Sequence, residues 1–313
     1  MGSATVLLVA LALDALVGDP DWLWRRAPHP VVVLGGWIGA ADARLNHGAP
    51  GARRRKGLLA LVGLLAAVLA LGGVLWVLLA ALGPAGHALE AVLVAVLLAQ
   101  RSLHEHVARV AGALSRSLGE GRRAVSMIVG RDPDTLDRPG AARAAIESLA
   151  ENLSDGVVAP AFWYLVGGLP GLLAYKLVNT ADSMIGHISE RHRDFGRAAA
   201  RLDDALNWVP ARLSVGLIAL ARPSRLGAIV TAARLDAPRH RSPNAGWPEA
   251  AWAAATGLAL GGPRSYGEGS LSEPVLNAAG RRTADADDIR ASLGLFVRVC
   301  LVQAGVVALI ALL

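Results

Sequence analysis

The uncharged apolar stretch from Leu58 to Leu82 constrains the fold more than any other feature. As an α-helix, this run is long enough to cross a hydrocarbon layer of roughly 30 Å. A hydrophobic content of 54% and a mean hydropathy of +0.44 favour a membrane protein over a soluble globule. We therefore predict an all-α, polytopic integral membrane protein that forms one membrane domain over residues 1–313.

Apolar and polar segments alternate along the whole chain. The predicted apolar segments are 4–17, 57–83, 86–100, 156–178, 208–221 and 293–313. The polar segments between them are 18–56, 101–155, 179–207 and 222–292. We expect cytoplasmic helices and loops in these polar segments, because they are rich in arginine and positive residues collect on the cytoplasmic side of membranes. The uncharged turn at 83–86 belongs on the opposite side.

The net charge of +6 comes almost entirely from arginine. Nearly all the arginines lie in the polar segments, and they lack the interleaved aromatic residues of a nucleic-acid interface. No nucleic-acid partner is therefore expected. The single cysteine, Cys300, excludes a cysteine-based zinc site.

The apolar segment 156–178 contains the sequence GGLPG at 167–171, a cluster that breaks helices and favours a turn. A single crossing here would place the arginines that follow on the wrong side of the membrane. Irregular backbone at membrane depth is tolerated where it is buried in protein or lines a cavity. We expect a re-entrant hairpin, with a plain fifth span as the alternative. The short segment 208–221 contains Arg212 and fits an interfacial or partly inserted helix.

Two polar helical faces border this hairpin segment. In ESLAENLSDG, helical spacing gives one stripe with Glu147 and Glu151 and a neighbouring stripe with Ser148, Asn152 and Asp155. In NTADSMIGH, one face carries Asn179, Asp182, Ser183 and His187, and Glu190 extends it. A re-entrant path brings both faces to one membrane surface. Carboxylate, amide and hydroxyl oxygens suit Mg²⁺ and its phosphate cargo, whereas helix capping and pairing with arginines are the alternative roles.

The stretch ERHRDFGRAAARLDD, residues 190–204, is dense in guanidinium groups. Arginine binds phosphates and carboxylates through paired hydrogen bonds, so Arg191, Arg193 and Arg197 are candidates for phosphate binding. The alternative is a solvated helix in which Asp194 supplies counter-charge. Near the N-terminus, Asp19 belongs to a Gly-Asp-Pro turn, and His29 lies on extended backbone between two prolines.

Several nucleotide-binding and hydrolase motifs are absent from the sequence. It contains no G-x-x-x-x-G-K-[S/T] loop, no G-x-G-x-x-G fingerprint and no G-x-S-x-G elbow. Any nucleotide must therefore be held in another way.

Taken together, several stretches of the chain resemble one known family. They are DALVGDPDWLWRRAPHPVVVLGGWI, AVSMIVGRD, ESLAENLSDGVVAPAFWYLVGGLPGLLAYKLVNTADSMIGH, ERHRDFGRAAARLDDALNWVPARL and SPNAGWPEA. In this order they resemble the CobD/CbiB family, the adenosylcobinamide-phosphate synthases of cobalamin biosynthesis. The resemblance runs from about residue 11 to residue 262, and its most specific block is 147–213.

The resemblance implies an enzyme of the bacterial cell membrane with a cytoplasmic active face. Such an enzyme joins adenosylcobyric acid to (R)-1-amino-2-propanol O-phosphate, and the new bond is an amide. A carboxylate is a poor acyl donor, so we expect activation by ATP and Mg²⁺ through an acyl phosphate. Membrane lipid and other membrane enzymes of the corrinoid pathway are the expected partners besides the substrates.

Residue type then assigns roles within this reaction. The predicted metal ligands are Glu151, Asp155, Asn179 and Asp182. His187 and Asp194 are the predicted catalytic bases, which would take a proton from the incoming ammonium group. The predicted substrate- and phosphate-binding residues are Lys176, Arg191, Arg193, Arg197, Asp19, His29 and Asn244.

Two other functions remain open from the sequence. One is a Mg²⁺-dependent membrane transferase that acts on a pyrophosphate-linked donor, although the chain lacks the dense acidic repeat expected on one helix. The other is a corrinoid permease or scaffold, for which charged residues inside several long spans are expected. Here the polar groups cluster between the spans instead.

Overall fold

A computed structural model of the protein describes residues 2–129, 133–186, 189–262, 264–266, 269–271 and 274–313. Its first helices are α1 (Ser3–Val17), α2 (Asp21–Trp24), α3 (Pro30–Leu45), α4 (Pro50–Ala81), α5 (Pro84–Leu97), α6 (Gln100–Arg116) and α7 (Leu118–Val125). They are followed by α8 (Arg138–Leu153), α9 (Ala159–Ala181), α10 (Arg197–Leu206), α11 (Trp208–Ala221), α12 (Leu226–Asp236), α13 (Gly246–Thr256) and α14 (Ala286–Leu312). The strands are β1 (Leu260–Gly261), β2 (Arg264–Tyr266), β3 (Gly269–Leu271) and β4 (Val275–Leu276).

Local sequence explains several helix starts. Pro30 and Pro50 occupy the first turns of α3 and α4, where a missing N–H costs nothing and the fixed φ suits a helix. The Nδ1 atom of His29 accepts a hydrogen bond from Val31 N at 3.2 Å, so His29 caps α3 from extended backbone, as its position between prolines predicts. At the turn before α5, Gly83 has a φ of 59°, which glycine adopts without strain.

Within the described residues, four helical stretches are long and apolar enough to cross a membrane. They are Pro50–Ala81, Pro84–Arg116, Arg138–Gly186 and Ala286–Leu312. A fifth is possible if Trp208–Ala221 and Pro223–Arg239, which are bent by 109°, form one span. The predicted all-α membrane fold is confirmed, and the only strands in the described part are two short antiparallel ribbons, β1–β4 and β2–β3.

The chain divides into two compact units. The first contains Met1–Ala99, Ala159–Asn207 and Val307–Leu313, and the second contains Gln100–Val158 and Trp208–Val306. The expected single membrane domain remains a prediction. The first unit has a small apolar core between α3, α4, α9 and α10, formed by Leu34, Ile38, Leu61, Val68, Leu177, Ala181, Ile185, Phe195 and Ala199.

The second unit is built around the alanine-rich helix α8, which is buried on most of its surface together with α13. Each of the two predicted polar stripes on α8 contributes one residue that makes a structural contact. Glu147 is buried, and its Oε1 atom accepts a hydrogen bond from Gly261 N in β1 at 2.7 Å. The Ser148 hydroxyl donates to Ile128 O at 2.9 Å. These two side chains therefore link α8 to β1 and to Ile128.

In the first unit, α9 is broken at Gly168, where φ is 59° and ψ is −155°. A Cβ atom on Gly171 would lie 2.6 Å from Trp163 O. In one continuous helix the same two residues would be about 12 Å apart. The chain therefore folds back sharply within the GGLPG sequence.

An acid inside the apolar segment 86–100 has a partner. Glu90 is 7% exposed, and the Tyr164 hydroxyl of α9 donates to its Oε1 atom at 2.8 Å. A buried carboxyl group is costly unless it is hydrogen-bonded. The contact explains how α5 accommodates an acidic residue in an apolar helix.

Candidate functional site

We call the broken helix α9 the folded-back segment. A π-helical turn, Asp182–Gly186, follows directly after its last residue. A second π-helical turn, Ser154–Val158, follows α8 and contains Asp155. Such turns are rare and are frequent at functional sites. A π-helical turn has more residues per turn than an α-helix. Side chains from Asp182 onward therefore do not follow the α-helical spacing from which a single polar face on NTADSMIGH was predicted.

In the first unit, α10 completes the polar cluster at the end of α9. Asn179 Nδ2 donates to Asp203 Oδ1 at 3.3 Å, and Asn207 Nδ2 donates to Asp203 Oδ2 at 2.9 Å. The buried Tyr175 hydroxyl in turn donates to Asn207 Oδ1 at 3.0 Å. Together with Asp182, these residues form what we call the Asp182–Asp203 cluster.

Asp203 is 8% exposed, and burial together with the nearby charge of Asp182 raises its pKa to about 7. The hydrogen bonds from Asn179 and Asn207 act in the opposite direction by favouring the carboxylate. Two carboxyl groups are thus held close enough to repel each other when both are ionised. A cation at this position would relieve the repulsion.

Gly186 leaves room for the Asp182 side chain. A Cβ atom on Gly186 would lie 1.9 Å from Asp182 Oδ1, so any other residue would displace the carboxylate. The Ser183 hydroxyl points back and donates to Asn179 O at 2.9 Å. The sequence NTADSMIG therefore places Asp182, rather than Ser183, at the cluster.

Helix α3 supports the segment that follows Asp182. Cβ positions on Gly35 and Gly39 lie 3.3 Å and 3.9 Å from the thioether group of Met184. At the other end of α3, Arg191 Nη2 donates to Asp42 Oδ2 at 2.6 Å. Burial alone would raise the pKa of Asp42, but hydrogen bonds from Arg191 and Asn46 hold it below its ordinary value. Arg191 is therefore already engaged by a carboxylate.

Asp194 is held in a double ion pair at the start of α4. Its Oδ1 atom accepts from Arg54 Nε at 2.6 Å and its Oδ2 atom from Arg53 Nη2 at 3.1 Å. The hydrogen bond from Arg54, with the charges of Arg54, Arg53 and Arg193, holds the pKa of Asp194 below its ordinary value although burial opposes this. A carboxylate in this setting is a weak base, which disfavours the predicted role as a proton acceptor.

The remaining predicted residues of the first unit occupy different places. Arg193 is exposed, whereas Arg197 begins α10 and lines a groove against α4. Lys176 lies on α9 one turn before Thr180, whose hydroxyl donates to Lys176 O at 2.6 Å. His187, a predicted base, lies outside the described residues.

Asp19 and His29, two of the predicted substrate-binding residues, lie close together. Asp19 Oδ1 lies 3.5 Å from His29 Nε2, and the His29 ring makes an edge contact with Trp24. Both residues are half-buried in the first unit.

Three predicted residues belong to the second unit. Glu151 is exposed at the end of α8, and Asp155 is half-buried in the π-helical turn after it. Asn244 is buried, and its Oδ1 atom accepts from Arg212 Nη1 at 3.2 Å.

Two tryptophans enclose the Arg212 guanidinium. Its carbon lies 4.3 Å from the ring centroid of Trp208 and 4.4 Å from that of Trp247. The two cation–π contacts and the hydrogen bond to Asn244 restrict the orientation of this side chain. The sequence motif SPNAGW thus supplies both a hydrogen-bond acceptor and an aromatic ring for Arg212.

Asp203 was not among the site residues predicted from the sequence. The available signal was the four-residue spacing between Asp203 and Asn207, which repeats the carboxylate–amide combination of Asp182 and Asn179. Asp42 and its pairing with Arg191 were also missed, because nothing in the sequence links residues so far apart.

The oxygen atoms of the Asp182–Asp203 cluster suit a magnesium ion that is coordinated partly by the protein and partly by a substrate. In the described part of the chain, no group of three or more histidine, cysteine, aspartate or glutamate residues is arranged to hold an ion by itself. Mg²⁺, however, is commonly bound through one or two carboxylates together with substrate phosphates and water. Asp182 and Asp203, with Asn179 beside them, fit that pattern.

The fold and the cluster define a class: an α-helical membrane protein with a carboxylate- and amide-lined site next to a folded-back apolar segment. A family model described as CobD/Cbib protein matches residues 7–296. The chain belongs to the CobD/CbiB family, so the resemblance found in the motifs is confirmed.

Similar proteins match over nearly their full length. A protein of Sinorhizobium sp is 56% identical, with 99% of this chain and 99% of its own length covered. The corresponding values are 54%, 93% and 91% for a protein of Brucella suis, and 46%, 100% and 99% for one of Rhodobacter capsulatus. Each carries the name cobalamin biosynthesis protein CobD. No solved structure matches the chain significantly.

Proposed function

We propose that the protein is an adenosylcobinamide-phosphate synthase. It joins a propionate carboxyl group of adenosylcobyric acid to the amine of (R)-1-amino-2-propanol O-phosphate. Membership of the CobD/CbiB family supports a role in cobalamin biosynthesis. The observation that carries the assignment within the molecule is the Asp182–Asp203 cluster, which suits the phosphate chemistry of this reaction.

The reaction we propose has two steps. A carboxylate oxygen attacks the terminal phosphorus of ATP, and ADP leaves with the electrons of the broken P–O bond. The amine, after losing a proton to a base, then attacks the carbonyl carbon of the acyl phosphate, and inorganic phosphate leaves. The first step makes a good leaving group, and the second forms the C–N bond.

We assign Asp182, Asp203 and Asn179 to hold Mg²⁺, which when bound neutralises phosphate charge. Asp182 supplies a half-buried carboxylate whose position depends on the absence of a side chain at Gly186. Asp203 supplies the second carboxylate, oriented by Asn179 and Asn207. Fixed carboxylates of this kind need no rearrangement when a charged ligand arrives.

For the aminopropanol phosphate we assign Arg193. Its guanidinium is exposed, and it lies in the segment that α3 and α4 hold through Arg191 and Asp194. Arginine matches phosphate oxygens through paired hydrogen bonds. His187 remains the proposed base.

The assay for this function uses purified full-length protein with adenosylcobyric acid, aminopropanol phosphate, ATP and Mg²⁺. We expect a product with the mass of the amide, together with one ADP per product, and no product when any component is omitted. Product without ATP would refute the acyl phosphate route. Uptake of corrinoid into sealed vesicles without product would instead indicate a permease, and turnover of a pyrophosphate-linked donor would indicate the transferase.

We propose a multi-pass arrangement in the bacterial cell membrane, with the Asp182–Asp203 cluster on the cytoplasmic side. The arginine-rich polar segments and the break at Gly168 support a re-entrant path for the segment 156–178. In a Cys300→Ser background, cysteines introduced at Asn152 and Ser183 should react with an impermeant reagent from the same side of sealed vesicles. Reaction from opposite sides would establish a full crossing.

A further inference from the structure

The first unit contains a groove of about 490 Å³ between the beginning of α4 and α10. Its α4 wall is formed by Leu58, Leu61, Val62 and Leu65, which have the i, i+3, i+4, i+7 spacing of one helical stripe. Its α10 wall contributes Ala198, Leu202 and Ala205 at similar spacing. The inner surface of the groove is therefore mostly hydrocarbon.

Three arginines also line this groove. Arg54, Arg197 and Arg201 line it, and Asp194 is the one acid among its lining residues. Asp194 is already paired with Arg53 and Arg54. Within the described ranges, Arg197 and Arg201 have no ion-pair partner, and both are exposed. The groove thus offers two guanidinium groups for an anion beside an apolar wall.

The groove begins where α4 changes from charged to apolar residues. Residues 53–56 read RRRK, and the uncharged run starts immediately after them. From Leu58 to Leu65 the α4 wall extends for about 10 Å along the helix. Basic residues that adjoin a membrane-spanning helix attract anionic lipid headgroups. A ligand that combines an anionic group with a hydrocarbon chain matches both parts of the groove.

We propose that this groove binds an anionic phospholipid, with its phosphate on Arg197 and Arg201 and an acyl chain against the α4 stripe. A small soluble phosphate would leave the apolar wall unused, whereas a zwitterionic lipid would leave the arginines without a net counter-charge. Lipid binding at this place is independent of the proposed amide-forming reaction. The lipid would be a structural ligand of the first unit and not a substrate.

The test uses delipidated full-length protein in detergent, titrated with dioleoyl phosphatidylglycerol or with dioleoyl phosphatidylcholine and observed by native mass spectrometry. We expect tighter binding of phosphatidylglycerol by the unaltered protein. The double variant Arg197→Gln/Arg201→Gln should bind it about tenfold or more weakly, because each basic residue near an anionic surface contributes on the order of 1 kcal/mol. The matched control is Arg25→Gln/Arg26→Gln, which removes two exposed arginines elsewhere in the same unit and should bind normally.

A second variant tests the apolar wall without a change in charge. Ala198→Phe fills the groove and should also weaken phosphatidylglycerol binding, with circular dichroism and gel filtration confirming the fold. Glycerol phosphate at millimolar concentration should not displace the lipid. Equal loss in both arginine variants, normal binding by Ala198→Phe, or full displacement by glycerol phosphate would each overturn the proposal.

Discussion

Asp182→Asn is expected to reduce the rate of amide formation by about 10²- to 10³-fold, the effect of removing one preorganised electrostatic contact from an active site. The substitution keeps the size of the side chain and its place next to Gly186 but removes the charge that we assign to Mg²⁺. The Mg²⁺ concentration needed for half-maximal rate should rise at the same time. Steady-state rates over a Mg²⁺ titration would measure both effects.

The control for this experiment is Ser183→Ala, the neighbouring position. Its hydroxyl donates to Asn179 O within the helix, so its loss should change the rate little. Gly186→Ala provides an independent test, because the new Cβ atom would displace the Asp182 carboxylate without removing its charge. A folded Asp182→Asn protein with a normal rate and normal Mg²⁺ dependence would remove Asp182 from the site.

Gly57→Ala is expected to destabilise the first unit by about 3 kcal/mol. A Cβ atom at Gly57 would lie 2.0 Å from Phe195 O and 2.9 Å from Phe195 C. These are backbone atoms, so the clash cannot be relieved by a side-chain rotation. Separation of α4 from residue 195 would also strain the adjacent ion pairs of Asp194. Thermal unfolding in detergent would detect the change.

Gly63→Ala on the same helix is the matched comparison. Apart from the neighbouring backbone of its own helix, no atom lies within 4 Å of its added Cβ, and an exposed helical glycine costs up to about 1 kcal/mol relative to alanine. Gly63→Ala should therefore leave the melting temperature unchanged or raise it slightly. Equal melting temperatures for the two variants would show that α4 and Phe195 are not in close contact.

Much of the fold follows from patterns within short stretches. The predicted segments 4–17 and 208–221 coincide closely with α1 and α11, and the predicted span 57–83 lies mostly within α4. That helix begins earlier, at Pro50, because charged residues can extend a helix beyond the apolar region. The GGLPG cluster marked the position of the break in α9, since glycine permits the positive φ at Gly168.

The candidate site was predictable only in part. Asn179 and Asp182 stood out by their position beside an apolar segment. The structure places Asp203 of α10, and Asn207 directly after that helix, in the same cluster. Arg191 was predicted to bind a phosphate from its residue type alone. Its bond to Asp42 joins residues on separate elements, and such pairings leave no local signal.

The sequence by itself determined the apolar helices and the position of the break within α9. It also determined which chemical types of side chain border the apolar segment 156–178. These properties depend on local spacing, hydrophobicity and the backbone preferences of glycine and proline. Only the tertiary structure decided which polar groups form ion pairs and which carboxyl groups lie close enough to repel each other. Asp194 is neutralised by Arg53 and Arg54, whereas Asp203 is buried near Asp182, because burial and charge are set by elements distant in the chain.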